Sequence, residues 1–125
     1  MELNETIMVN VLPEYLEEQS DPEDERFVFS YKVYISNIGK QGATLKTRHW
    51  FITNGNGDVQ EVKGEGVIGE QPNIAPGQQF DYISGAVLST PVGSMRGYYV
   101  MEADDGTLFH ANIPVFTLAT TFALN

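Results

Sequence analysis

From Arg26 to Ile38 the chain alternates almost without interruption, with Phe29, Tyr31, Val33 and Ile35 on one parity and Ser30, Lys32, Tyr34 and Ser36 on the other. Successive side chains of a strand point to opposite faces, so a strict period of two makes this stretch a β-strand with one face toward a core. Such a strand cannot stand alone. Its apolar face needs a second layer, and the rest of the chain has to supply it.

The remaining segments read the same way. Thr6–Leu12 is an opening strand, and Thr44–Thr53 runs into Asn54-Gly55-Asn56-Gly57, whose residues tolerate the positive φ of a tight hairpin. Asp58–Val62 is then the short returning strand. Gln78–Ser84, Met95–Ala103 and Thr107–Leu118 are rich in Tyr, Phe, Val, Ile and Met and are bounded by Pro76-Gly77, Pro91/Gly93 and Asp104-Asp105-Gly106. About seven short strands with regular turn signals, and no helical periodicity, predict an all-β, immunoglobulin-like or fibronectin type III-like two-sheet sandwich. A chain of 125 residues is expected to form one domain, 1–125, around one core. Parity sends Trp50 and Ile52 inward and His49 and Phe51 outward, and leaves open which of Tyr98 and Tyr99 faces the core. A Trp on the third strand is an immunoglobulin-like feature, but without Cys no disulfide can lie over it.

Seven Lys and Arg against seventeen Asp and Glu give a formal charge of −10, which repels phosphate backbones and anionic lipid. Nucleic acid is therefore not an expected partner. Thiol chemistry and Cys-ligated metal are excluded by composition. The N-terminal residues include Glu2 and Glu5, with no basic start and no apolar run of signal or membrane-spanning length, so a cytoplasmic protein without membrane insertion is expected.

Gly64-Glu65-Gly66-Val67-Ile68-Gly69 matches the dinucleotide-binding pattern formally, but that pattern works where a strand feeds a helix whose N-terminus takes the pyrophosphate. Pro72, Pro76 and Gly77 follow too closely for a helix, and the glycines fit a bulge or a tight crossing between sheets instead. Six of the nine residues Glu17–Glu25 are acidic, but their spacing matches no calcium loop, and a solvated mobile loop is expected. Asp104-Asp105-Gly106 reads as a hairpin turn. His49 and His110 could reach one outer face if their strands are neighbours, and two imidazoles could then ligate a transition metal. Scattered serines form no nucleophile elbow, and Ser84-Gly85 and Ser94-Met95 read as small residues at strand edges.

The run His49-Trp50-Phe51-Ile52-Thr53, then Gly64 through Pro72, then Ala75-Pro76-Gly77 with Phe80 and Tyr82-Ile83-Ser84-Gly85, closely resembles the ApaG family. The resemblance continues through Pro91, Gly93, Met95, Gly97, Tyr98 and Ile113-Pro114-Val115-Phe116, and Ser20 to Arg26 belongs to it as well. It implies a fibronectin type III-like sandwich, found alone in bacteria and as a module in some eukaryotic F-box and DNA-polymerase-interacting proteins. It also implies links to cobalt resistance, magnesium efflux and diadenosine tetraphosphate metabolism, and it carries over no catalytic residue.

Together these readings lead to a non-enzymatic interaction domain with no cofactor and a protein partner. The expected contacts are His49 and Phe51 with His110 on one sheet face, and Gly64, Gly66, Gly69, Glu70, Gln71 and Pro72 in the adjoining loop. The alternative is a small-ligand binder: weak binding of Mg²⁺ or Co²⁺ by carboxylates and imidazoles, or a (di)nucleoside polyphosphate on the Gly64–Gly69 backbone. A homo-oligomer formed through edge strands is also an expectation.

Overall fold

The computed structural model describes residues 1–121. Eight strands follow in order: β1 (Ile7–Tyr15), β2 (Phe27–Asn37), β3 (Ala43–Asn54), β4 (Val59–Glu65), β5 (Asn73–Ile74), β6 (Gln79–Leu88), β7 (Val92–Ala103) and β8 (Leu108–Ala119). They form two antiparallel sheets, one ordered β1-β2-β6 and the other β4-β3-β7-β8 with the two-residue β5 also paired to β3. The all-β sandwich expected from the alternation is what forms. Most strands are longer than their sequence signals: β1 continues through Pro13 to Tyr15, and β4 runs on to Glu65.

The core lies between the sheets. Phe29, Tyr31, Val33 and Ile35 of β2 are all buried, as are Leu45 and Trp50 of β3, Met95, Tyr99 and Met101 of β7, and Ile113 and Leu118 of β8. Trp50 makes edge-on contacts with Tyr31, Tyr99 and Phe116, so its indole joins both layers. Ile52 is half-buried against the same core. Tyr82 of β6 and Tyr99 of β7 are also buried, and each satisfies the other's hydroxyl by a hydrogen bond across the sandwich. Burial raises the pKa of both phenols.

One local reading is revised and two gain detail. Ser84-Gly85 lies in the middle of β6, facing Tyr31 and Ser30 of β2, where it serves strand pairing and not a turn. Glu17–Glu25 is exposed but not featureless. It contains two single 3₁₀ turns, Glu17–Gln19 and Pro22–Asp24, and closes through backbone bonds between Asp21 and Arg26. The Ser20 hydroxyl fastens it to β2 by accepting from the Val28 amide. The Asp104–Gly106 turn does more than reverse the chain: the Asp104 carboxylate accepts from the Gly42 amide and from Asn73 Nδ2, tying the turn to the β2–β3 loop and to β5. Asp105 accepts from Thr107 and Gln41, and these bonds, those from Thr107 foremost, hold its carboxyl below the usual range.

Candidate functional site

The five-stranded sheet turns one face to solvent, and strand register decides which side chains meet there. His49 of β3 stands opposite Tyr98 of β7, and His110 of β8 lies two residues further along, opposite Val100. The rings stack in series. His49 and Tyr98 have centroids 4.5 Å apart and planes 11° from parallel, and Tyr98 and His110 are 4.4 Å apart at 12°. That spacing is close to the distance between neighbouring strands, so the three rings stand on edge across β3, β7 and β8. Tyr98 is therefore the outward tyrosine and Tyr99 the core one.

Beside this ladder, Phe51 faces Arg96, whose guanidinium carbon sits 4.6 Å from the ring centroid. On the β4 side His49 pairs with Lys63, and Lys63 bonds to Glu61 at 3.1 Å. The His49 pKa is lowered, mainly by partial burial and then by the positive charge of Lys63 and of His110. Its Nε2 lies 3.1 Å from the Thr47 hydroxyl, while its Nδ1 is buried without a hydrogen-bond partner.

The expectation that two imidazoles could share a metal meets an obstacle in this geometry. β7 separates β3 from β8, and Tyr98 fills the space between the rings. His49 and His110 cannot close on one ion without expelling it. Among the described residues no group of three His, Cys, Asp or Glu side chains is placed to hold a metal.

The glycine string folds as the end of a strand followed by a tight turn. Gly64 and Glu65 finish β4, and Val67 and Glu70 then bridge each other around Ile68 and Gly69, which have φ of 45° and 79°. Two central residues with positive φ make a primed turn, for which a β-branched residue such as Ile68 is poorly suited. Ile68 is also exposed, so the strained position carries an apolar side chain at the tip. Gly66 has φ of 60°, and a Cβ there would come within 2.0 Å of the Glu70 carbonyl oxygen. Gly64 answers a different need. The Arg48 guanidinium lies on it, so a Cβ at 64 would meet that group at 2.6 Å, and Arg48 Nη1 donates to the carbonyl oxygens of Glu65 and Gly66. The guanidinium is thus engaged by backbone carbonyls on the face of Gly64. The turn lies along β3: Gln71 Nε2 donates to the Lys46 carbonyl, and the Leu45 amide donates to that of Pro72.

The ApaG domain model matches residues 17–103. The chain belongs to the ApaG family. A protein named ApaG from Pseudomonas putida is 55% identical over 95% of this chain and 94% of its own length. Another from Dechloromonas aromatica is 51% identical with the same coverage of both. A solved structure described as the ApaA protein of Bordetella pertussis superposes with a TM-score of 0.90, at 47% identity over 92% of this chain and 94% of that one. The ladder and the glycine turn thus sit on an ApaG fold.

Three of the residues expected from sequence, His49, Phe51 and His110, share one face, and Gly64 to Pro72 run beside it on the β3 edge. Sequence reasoning left open whether Tyr98 or Tyr99 joins that face, and it missed Arg96. The signal was weak because both parities of β7 carry aromatic or large apolar residues, so alternation alone did not orient the strand.

Proposed function

We propose that this chain is a non-enzymatic interaction module, one domain over 1–125, which engages a protein partner through the outer face of the five-stranded sheet and the adjoining Gly64–Pro72 turn. The observation that carries this reading is the stacked series His49, Tyr98, His110, flanked by Phe51 under Arg96. Rings fixed by their neighbours lose little freedom when a partner covers them, and Tyr and Arg are enriched where proteins bind.

The cobalt and magnesium link implied by the family resemblance is then read as regulation through protein contact in the cytoplasm, and no helix among the described residues is long and apolar enough to cross a membrane. The test is photo-cross-linking in the native cell from a reactive residue placed at Phe51, compared with one at Lys40 in the exposed turn between β2 and β3. A partner captured from position 51, and lost when Tyr98→Ala is added to a folded chain, supports the reading. Equal capture from both positions, or saturable calorimetric heats with Co²⁺, Mg²⁺ or a dinucleoside polyphosphate in place of a protein partner, overturns it.

A further inference from the structure

An open sandwich has strand edges whose backbone groups can pair with another chain, and folded proteins guard them with charge, proline or bulges. Three of the four edge strands here are guarded. β4 alternates Glu61, Lys63 and Glu65 along its exposed side. β8 carries Pro114, and its register with β7 shifts between Met95 and Gly97. β1 carries Pro13 and packs along β8, where Val9 and Val11 meet Pro114 and Phe116.

The fourth edge, β6, has neither proline nor bulge and only a single charge. Its ten residues contain no proline, pair with β2 without a register shift from Gln79 to Leu88, and carry one charge, Asp81, 3.6 Å from Lys32. No described residue forms a backbone hydrogen bond to β6 from the side away from β2. On the outer face of β6 itself two aliphatic side chains are bare, Ile83 at 60% exposed and Val87 at 51%, with Lys32 of β2 opposite Ile83. Gly85 between Ile83 and Val87 leaves a gap in that row.

Charge selects the occupant. The exposed segment containing Glu17, Glu18, Asp21, Glu23, Asp24 and Glu25 leads directly into Phe27, which pairs with Leu88 at the end of β6. A cleft of about 390 Å³ opens there, lined by Glu25, Arg26, Asp58, Val59, Val87 and Leu88. A second copy of a chain with net charge −10 is repelled from this end, whereas a cationic segment is drawn to it.

We infer that β6 is a docking edge for an extended segment of a partner protein in which apolar residues alternate with lysine or arginine, added as a fourth strand to the three-stranded sheet. Backbone pairing along β6 supplies the register. Apolar side chains of the segment cover Ile83 and Val87, and a cationic one at its end reaches the cleft with Glu25 and Asp58. This surface is on the opposite sheet from the aromatic ladder and does not depend on it.

The probe is a capped peptide of about ten residues alternating valine and lysine, the length of a typical edge strand, titrated into the isotopically labelled full chain. The expected result is a saturable set of amide shifts along residues 79–88 with methyl shifts of Ile83 and Val87, weakened by salt. A Val87→Lys variant, which places a guard charge on the face without touching the core, is expected to lose on the order of tenfold in affinity, with Ile83→Lys as the second variant. Three outcomes overturn the inference: shifts confined to other surfaces, equal binding of a valine–glutamate peptide, or a concentration-dependent dimer of the chain itself that Val87→Lys abolishes.

Discussion

On the five-stranded sheet the outward side chains lean on one another, His49 on Tyr98, Tyr98 on His110 and Phe51 under Arg96, whereas on the three-stranded sheet Leu12, Ile83 and Val87 are each more than half exposed. Both sheets cover the same core with strands of similar length. The difference therefore lies in how each outer face is finished. A face whose rings are already packed contributes to folding and gives up little freedom when covered. Side chains left bare, as Leu12, Ile83 and Val87 are around the Lys32–Asp81 pair, add little to stability and leave their apolar area for whatever binds next.

The largest effect expected is on what the two faces share. Trp50→Ala removes the indole that touches Tyr31 from one sheet and Tyr99 and Phe116 from the other, and should cost about 3–5 kcal/mol in denaturant unfolding. Below about 1 kcal/mol, the view that one core supports both faces would fail. Tyr98→Ala comes next. It deletes two stacked contacts, each worth roughly 0.5–1.5 kcal/mol beyond burial, so a loss of about 1–3 kcal/mol is expected. Val87→Ser on the other sheet should stay within about 0.5 kcal/mol, because little of its surface is lost to water on unfolding. Equal losses for Tyr98→Ala and Val87→Ser would erase the comparison.

The smallest effect is on pH dependence. The folded pKa of His49 is lowered, so the unfolded chain binds this proton more readily, and stability should fall as pH drops through and below about 6.5, the unfolded value. Above that pH the contribution is fully present. His49→Phe keeps a stackable ring and removes the titration, so its melting temperature should vary less with pH between 5 and 7 than that of the parent. An unchanged profile would mean that His49 does not feel Lys63 and His110 as the packed face requires.

The fold was legible because strand alternation is local. Phe29, Tyr31, Val33 and Ile35 declared their face within a dozen residues, and the Trp50 parity followed from the same rule. Strand order is not local. The separation of His49 from His110 by a tyrosine, and the bare edge of β6, arise from which strands neighbour each other across long stretches of chain. One reading failed for another reason: Ser84-Gly85 has turn composition but is held in a strand by β2. Ile68 gave no signal of its positive φ, which its residue type opposes and the Val67–Glu70 bridge closes around.

The three glycines of the 64–69 string respond to three separate constraints, and this bears on how the string should vary among relatives. Position 69 has positive φ with open space around it, so asparagine is a tolerable replacement there. Position 66 admits no side chain, since the Glu70 carbonyl occupies the site of its Cβ. Position 64 is tied to position 48: a chain that exchanged Arg48 for a short residue would free position 64 to carry a side chain, and the two sites should change together or not at all. A phosphate cradle would keep all three glycines for one shared reason. Here the string should decay one position at a time, with 69 drifting first, 64 moving only alongside 48, and 66 held longest.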